Sequence, residues 1–300
     1  MPRISWFILA LGCVELAGYS QTTPQPVPAS DEGPAVYVVR VISAPSTQRD
    51  AFVACLAEND LPFWRELKEK GLLAKVSVFE TTSATSSKPE MPAWNFVISS
   101  QLAEGANADS FLQAVEKRKG CENAAGIEVR RVQTLRTIPN CNRARSTPAD
   151  DLKARESKVE FFIEYIAVKD TPEALDRFRK FMSLYECLGD NSMIRDFNRG
   201  DGWWFGAVPL ETVKVNYSQP GMPDWNHMDF VGYIPAANLK PGHPGKDPAA
   251  RKAYVQAAIR EQIPAGVASA WEAEWAAMLS SIVTFPRTGY ARQLFELAVR

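Results

Sequence analysis

Pro89-Glu90-Met91-Pro92-Ala93-Trp94-Asn95 and Pro220-Gly221-Met222-Pro223-Asp224-Trp225-Asn226 are one seven-residue phrase written twice, with five of seven positions identical and 131 residues between the copies (222 − 91). The chain holds only 8 tryptophans and 7 methionines, so their joint recurrence marks an internal repeat. Upstream, VYVVRVIS (Val36–Ser43) matches FFIEYIA (Phe161–Ala167), each followed by a polar turn and a helical pattern. Downstream, VRRVQTL (Val129–Leu135) resembles ARQLFEL (Ala291–Leu297). The matched segments run in the same order in both halves, as duplication requires.

Each repeat has the periodicities of a β-α-β-β-α-β unit. In the first, Val36–Ile42 is rich in β-branched residues and reads as a strand. Ser46 stands where a helix carrying Phe52, Cys55 and Leu56 would be capped, Pro62 restarts that helix, and Phe63, Leu67 and a stop at Gly71 complete it. Leu73–Thr81, Trp94–Ser100 and Ile127–Arg136 read as strands, Thr82–Lys88 as a loop, and Asp109–Lys119 as the second helix. The second repeat offers Phe161–Val168 as a strand, then a helix with Thr171 as cap, Pro172 in its first turn, and Leu175, Phe178, Met182 and Tyr185 at helical spacing. Strands follow at Trp203–Val208 and after Trp225 to about Ile234, and Asp247 caps a helix to about Gln262. An extra helix with Trp271, Trp275, Met278 and Leu279 on one face has no counterpart in the first repeat. Ile282–Phe285 and Arg292–Val299 compete for the last strand.

Both first strands are apolar on both faces, whereas an open sheet covered on one side can leave its other face polar. The expected fold class is therefore α+β: two tandem ferredoxin-like βαββαβ modules whose antiparallel sheets close on one another. The expected boundaries are a signal peptide at 1–20, a proline-rich tether at 21–34, module one at 35–140, a linker at 141–157, and module two at 158–300.

A chain of 300 residues with 46% hydrophobic and 23% charged content buries a sizeable core. Its formal net charge of −1 implies neither nucleic acid nor an anionic membrane as partner. Met1–Ser20 reads as a secretory signal: Arg3 starts it, Ile4 to Val14 is apolar, and Gly18 and Ser20 precede a cleavage near Ser20–Gln21. The expected destination is periplasmic or extracellular. Ala10-Leu11-Gly12 is a poor lead-in for lipidation of Cys13, and Glu15 interrupts a run short of the ~20 residues that span a bilayer. Past the signal, Cys55, Cys121, Cys141 and Cys187 form an even set in a compartment that permits disulfides. They include no C-x-x-C pair, so one or two structural bridges are expected and a metal is not; three pairings stay open.

The module order, together with Trp64, Leu67 and Gly71 ending the first helix, resembles the dimeric α+β barrel superfamily over about residues 35–300. That superfamily includes small cofactor-independent monooxygenases, EthD-like and NIPSNAP-like proteins, and the haem-binding chlorite dismutases and dye-decolorising peroxidases. The resemblance implies a barrel closed within one chain, a monomer acting as a pseudo-dimer, with higher oligomers open. Small monooxygenases of the superfamily place Trp, Asn, Arg and Tyr around an apolar pocket, and Asn95 and Asn226 are available for one here. The Gly-x-x-Asp-Gly signature of the peroxidase relatives is absent, Arg199-Gly200-Asp201-Gly202 having another spacing, so no haem or other cofactor is expected.

Only two histidines exist. His243, in LKPGHPGKD, reads as an exposed loop residue. His227 alternates with Asp229, so on a strand both side chains share a face about 7 Å apart. A histidine beside a carboxylate makes a general base with its orienter; a strand-end pair without chemistry is the competing reading. The first copy has Phe96 and Ile98 at the same offset, so chemistry here belongs to the second half alone. Arg40 and Glu164 are single charges at matching positions of the first strands. They are expected to face the barrel interior and pair across the pseudo-twofold axis, with solvent-facing strand edges as the other reading. Of the adjacent Trp203 and Trp204, one is expected under the helices and one in the barrel. With Trp94, Asn95, Trp225 and Asn226 they are the candidate binding residues for a small apolar ligand.

There is no Gly-x-Ser-x-Gly and no phosphate-binding glycine loop. Arg143 and Arg145 read as solvated, and Asp150-Asp151 as a helix start. The leading expectation is an exported small-molecule binding or interaction module. The alternative is a cofactor-independent oxygenase or isomerase acting on a small aromatic or lipid-like compound through His227, Asp229, Asn226 and Trp225. A haem enzyme stands third.

Overall fold

Strand β1 (Val36–Ser43) buries Val39 and Val41 on one face and Val38 and Ile42 on the other, so it needs cover on both sides. The computed structural model describes residues 34–87, 92–118, 120–138, 159–183, 202–250, 253–254, 257 and 265–297. Its other strands are β2 (Leu73–Ser86), β3 (Phe96–Leu102), β4 (Glu128–Thr137), β5 (Glu160–Val168), β6 (Trp204–Ser218), β7 (His227–Tyr233) and β8 (Val283–Leu297). All pairings are antiparallel, and the strands close into a barrel in the order β1-β3-β2-β8-β5-β7-β6-β4. Each half therefore contributes the same spatial order, β4-β1-β3-β2 and β8-β5-β7-β6, and two seams join them, β2 to β8 and β6 to β4.

Both seams carry the same ion triplet. Glu80 on β2 is held by Arg49 of its own half at 2.7 Å and by Arg292 of the other half at 2.6 Å. Glu211 on β6, 131 residues later, is held by Arg179 of its own half at 2.9 Å and by Arg136 of the other at 2.5 Å. These contacts explain why β2 and β6 run beyond the expected ends at Thr81 and Val208. Each continues its ladder across a seam, to Ser86↔Arg287 and to Arg131↔Ser218. The described parts of the two runs competing for the last strand, 283–285 and 292–297, belong to one strand, β8, which pairs with both β2 and β5 and has a register shift against each.

An eight-stranded barrel has an interior just wide enough for side chains to fill. Val39, Val41, Phe79, Val97, Leu135, Ile163, Leu210, Met228 and Phe230 fill this one. Outside lie α1 (Arg49–Cys55), α2 (Leu61–Glu69), α3 (Ala108–Arg118), α4 (Pro172–Phe181) and α5 (Ala265–Ser281). Ser46 makes no cap: it opens a 3-10 turn without a side-chain hydrogen bond. Pro62 does not restart the helix either, because a π-helical turn at Leu56–Asp60 carries the chain into α2 and leaves proline in its tolerated first turn. Thr171 does cap α4, accepting from Ala174 N at 3.2 Å, and Asp247 accepts from Ala250 N at 2.7 Å.

Cys55 and Cys121 form a disulfide that ties the end of α1 to the turn before β4. Cys141, Cys187, Met1–Ser20, the tether up to residue 33 and the expected linker at 141–157 lie outside the described residues.

Arg40 and Glu164 do not meet inside the barrel. On β1 the interior belongs to Val39 and Val41, and Arg40 points outward to Glu122, 2.5 Å away in the turn that the disulfide anchors. On β5 the interior belongs to Ile163 and Tyr165, so Glu164 between them is also outward. The two positions correspond, but each charge lies on the outer face of its own half.

Candidate functional site

Trp94 and Trp225 of the repeated phrase both belong to the cluster that fills the barrel interior. Trp94 and Trp225 are each 2% exposed, with ring centroids 5.6 Å apart, and Tyr165 packs edge-on to both. Trp94 Nε1 donates to the Tyr165 hydroxyl at 2.8 Å, and burial pushes that phenol up to about 12. The two halves cap each other's tryptophan. Arg131 of β4 lies 4.2 Å over Trp225 and donates to its carbonyl at 3.0 Å; Arg287 of β8 lies 4.0 Å over Trp94 and donates to its carbonyl at 2.6 Å. Desolvation lowers both guanidinium pKa values.

Asn95 and Asn226 serve the backbone. Asn95 accepts from Ala44 N at 2.8 Å and donates to Ala44 O at 2.9 Å, while Asn226 accepts from Val168 N at 2.9 Å and donates to Val168 O at 2.8 Å. Each amide mimics one more rung of ladder at the end of β1 or β5. Neither Trp203 nor Trp204 belongs to the interior cluster, so the expected division of that pair does not occur. The ladder between β6 and β7 slips between Trp204 and Gly206, and Gly206 takes a φ of 144° that glycine alone adopts freely. The slip brings Trp204 onto Ala207 and Val231, while Trp203 packs against Tyr254 at 4.4 Å and His243 at 5.8 Å.

The outer faces of the two halves differ. In the first, one continuous apolar cluster lies beneath α1, α2 and α3, and Phe96 and Ile98 are part of it. In the second, the described apolar residues fall into three separate clusters. His227 and Asp229 stand where Phe96 and Ile98 stand in the first, 2% and 3% exposed. Met228 and Phe230 between them point into the barrel, so the histidine and the aspartate share the outer face as their alternation requires.

His227 pairs across the ladders with Ile166 on one side and Glu211 on the other, and Phe178 of α4 covers it with ring centroids 4.7 Å apart. Its Nδ1 lies 2.9 Å from Asn226 Oδ1; that amide, rather than Asp229, orients the ring. Nε2 is buried without a hydrogen-bond partner among the described residues. Burial lowers the imidazole pKa to about 4, with Glu211 pulling upward and Arg179 downward. Burial also works to raise Glu211, but its bonds to Arg136 and Arg179 outweigh that and hold it low. Asp229 sits beside Glu164 across the β5–β7 ladder. Among the described residues no cluster of His, Cys, Asp and Glu has the makings of a metal site.

Sequence reasoning found His227, Asp229, Trp94 and Trp225 but not Arg131, Arg287, Tyr165 or Glu211 as their neighbours. A signal for one was available, since Glu80 and Glu211 share the 131-residue offset of the repeated phrase. The arginines were hidden by a slipped alignment. Arg131 and Arg287, like Arg136 and Arg292, are 156 residues apart, whereas matching Val129–Leu135 to Ala291–Leu297 imposes 162. The excess of 156 over 131 lies before β8, in the part of the chain that contains α5.

No protein-family model and no curated protein matches this chain. Among solved structures, it is similar to a mutant chlorite dismutase from Candidatus Nitrospira defluvii in complex with cyanide, at 7% identity over 86% of this chain and 90% of that one, with a TM-score of 0.42. It is also similar to a heme-binding protein from Thermus thermophilus, at 12% identity over 90% of this chain and 95% of that one, with a TM-score of 0.39. Likeness at this level concerns the outline of the chain and carries no activity across.

Proposed function

We propose that this chain is an exported small-molecule binding module, a tandem duplication of one ferredoxin-like unit over 35–140 and 158–300, whose ligand seats on the outer face of the second half against His227. The carrying observation is the contrast between halves. Phe96 and Ile98 are 0% exposed in one, and His227 and Asp229 are buried at the same places in the other. Nε2 of His227 is buried there without a hydrogen-bond partner among the described residues, and burying an unsatisfied polar group costs about 1–3 kcal/mol. The repeated phrase, the matched ion triplets and the reciprocal arginine caps support the duplication. Met1–Ser20 supports export.

Binding is preferred to base-catalysed oxygenation or isomerisation because an imidazole of pKa about 4 is a weak proton acceptor at neutral pH, where a general base works best with a pKa near that of the medium. The test is native mass spectrometry of the full chain from an exporting host, wild type against His227→Phe. The wild type should retain or take up a small molecule, and the variant should fold, be at least as stable, and lose it. A variant that keeps the ligand would move the site elsewhere and end this reading.

A further inference from the structure

We infer that the ligand met by His227 is an uncharged molecule with an apolar body and a hydrogen-bond donor, a phenol or alcohol O–H, and not a carboxylate. The inference rests on the binding reading above and adds the ligand's chemical class. Asn226 carries it. Val168 fixes both ends of its amide, the oxygen accepting from Val168 N at 2.9 Å and the nitrogen donating to Val168 O at 2.8 Å. A flipped amide would set donor against donor and acceptor against acceptor. His227 Nδ1 stands 2.9 Å from the same oxygen. Two acceptors do not approach so closely, so Nδ1 carries a proton, and in the neutral ring Nε2 keeps only a lone pair.

Nε2 therefore accepts and does not donate, and it is buried with nothing among the described residues to donate to it. Asn95 makes the same two backbone bonds but is followed by Phe96, so the strand end needs no imidazole. Only in the second half does the amide also fix a tautomer. A carboxylate would bring lone pairs against a lone pair unless the ring took up a proton, which its burial opposes. Ile166 and Phe178 beside the ring favour an apolar body on the donor.

The test uses the full-length, 15N-labelled chain at neutral pH and long-range proton–nitrogen spectra of its two histidines, with His243→Gln separating their signals. The probes are 1-naphthol, 1-methoxynaphthalene and 1-naphthoate, which share one ring system. The expected result is a free protein protonated at His227 Nδ1, and 1-naphthol that shifts Nε2 and binds about tenfold more tightly than either analogue, the effect of one buried hydrogen bond. A free protein protonated at Nε2 overturns the inference. Methoxynaphthalene or naphthoate that shifts His227 and binds as tightly as naphthol overturns the donor class while leaving the face as a ligand site. If none of the three moves the His227 signals, the binding reading fails and the inference falls with it.

Discussion

The Arg131 guanidinium lies 4.2 Å from the Trp225 ring centroid and donates to that residue's own carbonyl, so one side chain holds both the face and the backbone of a tryptophan 94 residues away. Arg287 does the same to Trp94, and the two tryptophans touch. Each half thus keeps the other's tryptophan in place. Replacing either arginine by Met removes a charge-assisted bond to a buried carbonyl and should cost about 2 kcal/mol in urea unfolding. Because both act on one Trp94–Trp225 contact, the double variant should cost less than the sum of the singles. Strict additivity would mean that the two caps are independent.

The seam triplets make stability sensitive to acid. The Arg49 bond holds the Glu80 carboxyl below its ordinary 4.5, and Glu211 is held below it despite its burial. A carboxylate with a depressed folded pKa adds stability that is complete above the unfolded value and lost as pH falls through the folded one. Melting temperature should therefore drop as pH is lowered from about 4.5. Glu211→Gln should destabilise at pH 7 and lose most of its effect at low pH. An effect that does not change with pH would show that Glu211 acts by packing rather than charge.

Cys55 and Cys121 close a loop of 66 residues, for which the chain-entropy argument gives about 4 kcal/mol. The bridge also anchors the turn carrying Glu122, the partner of buried Arg40. Cys55→Ala with Cys121→Ala should lower the urea midpoint and increase amide exchange in β1 around Arg40. Unchanged exchange there would mean that the Arg40–Glu122 pair holds without the bridge.

Much of this architecture was legible because the repeated phrase contains a tryptophan, a rare residue in this chain whose recurrence beside Pro, Met and Asn marks the repeat. Arg40 and Glu164 do occupy matching positions, but both face outward rather than into the barrel. When both faces of a strand are apolar, alternation says that neighbours differ in face without saying which face is inside. The expected division of Trp203 and Trp204 fails because the slip at Gly206 breaks the alternation it relies on. The roles of Asn95 and Asn226 depend on backbone atoms 51 and 58 residues away, which no local pattern reveals. The asymmetry that defines the candidate site, His227 for Phe96, was readable from the sequence. Its meaning came only with burial.

His227 should also make the protein less stable in mild acid. Its folded pKa of about 4 lies below the ordinary 6.5, so the folded state holds the neutral ring while the unfolded state takes up a proton. Stability tied to this group is complete above 6.5 and declines as pH falls toward 4, by about 3 kcal/mol over the window. Glu211, Arg179 and Asp229 also face or flank the ring, so the comparison that isolates its contribution is wild type against His227→Phe, which restores the residue type of the first half. The variant should be more stable at pH 5 than the wild type by more than at pH 7.5, because its phenyl ring has no proton to gain. Urea unfolding at the two pH values measures that difference directly. If the two proteins keep the same stability difference at both, burial does not shift the His227 titration, and the ring takes up its proton in the folded chain as it does in the unfolded one.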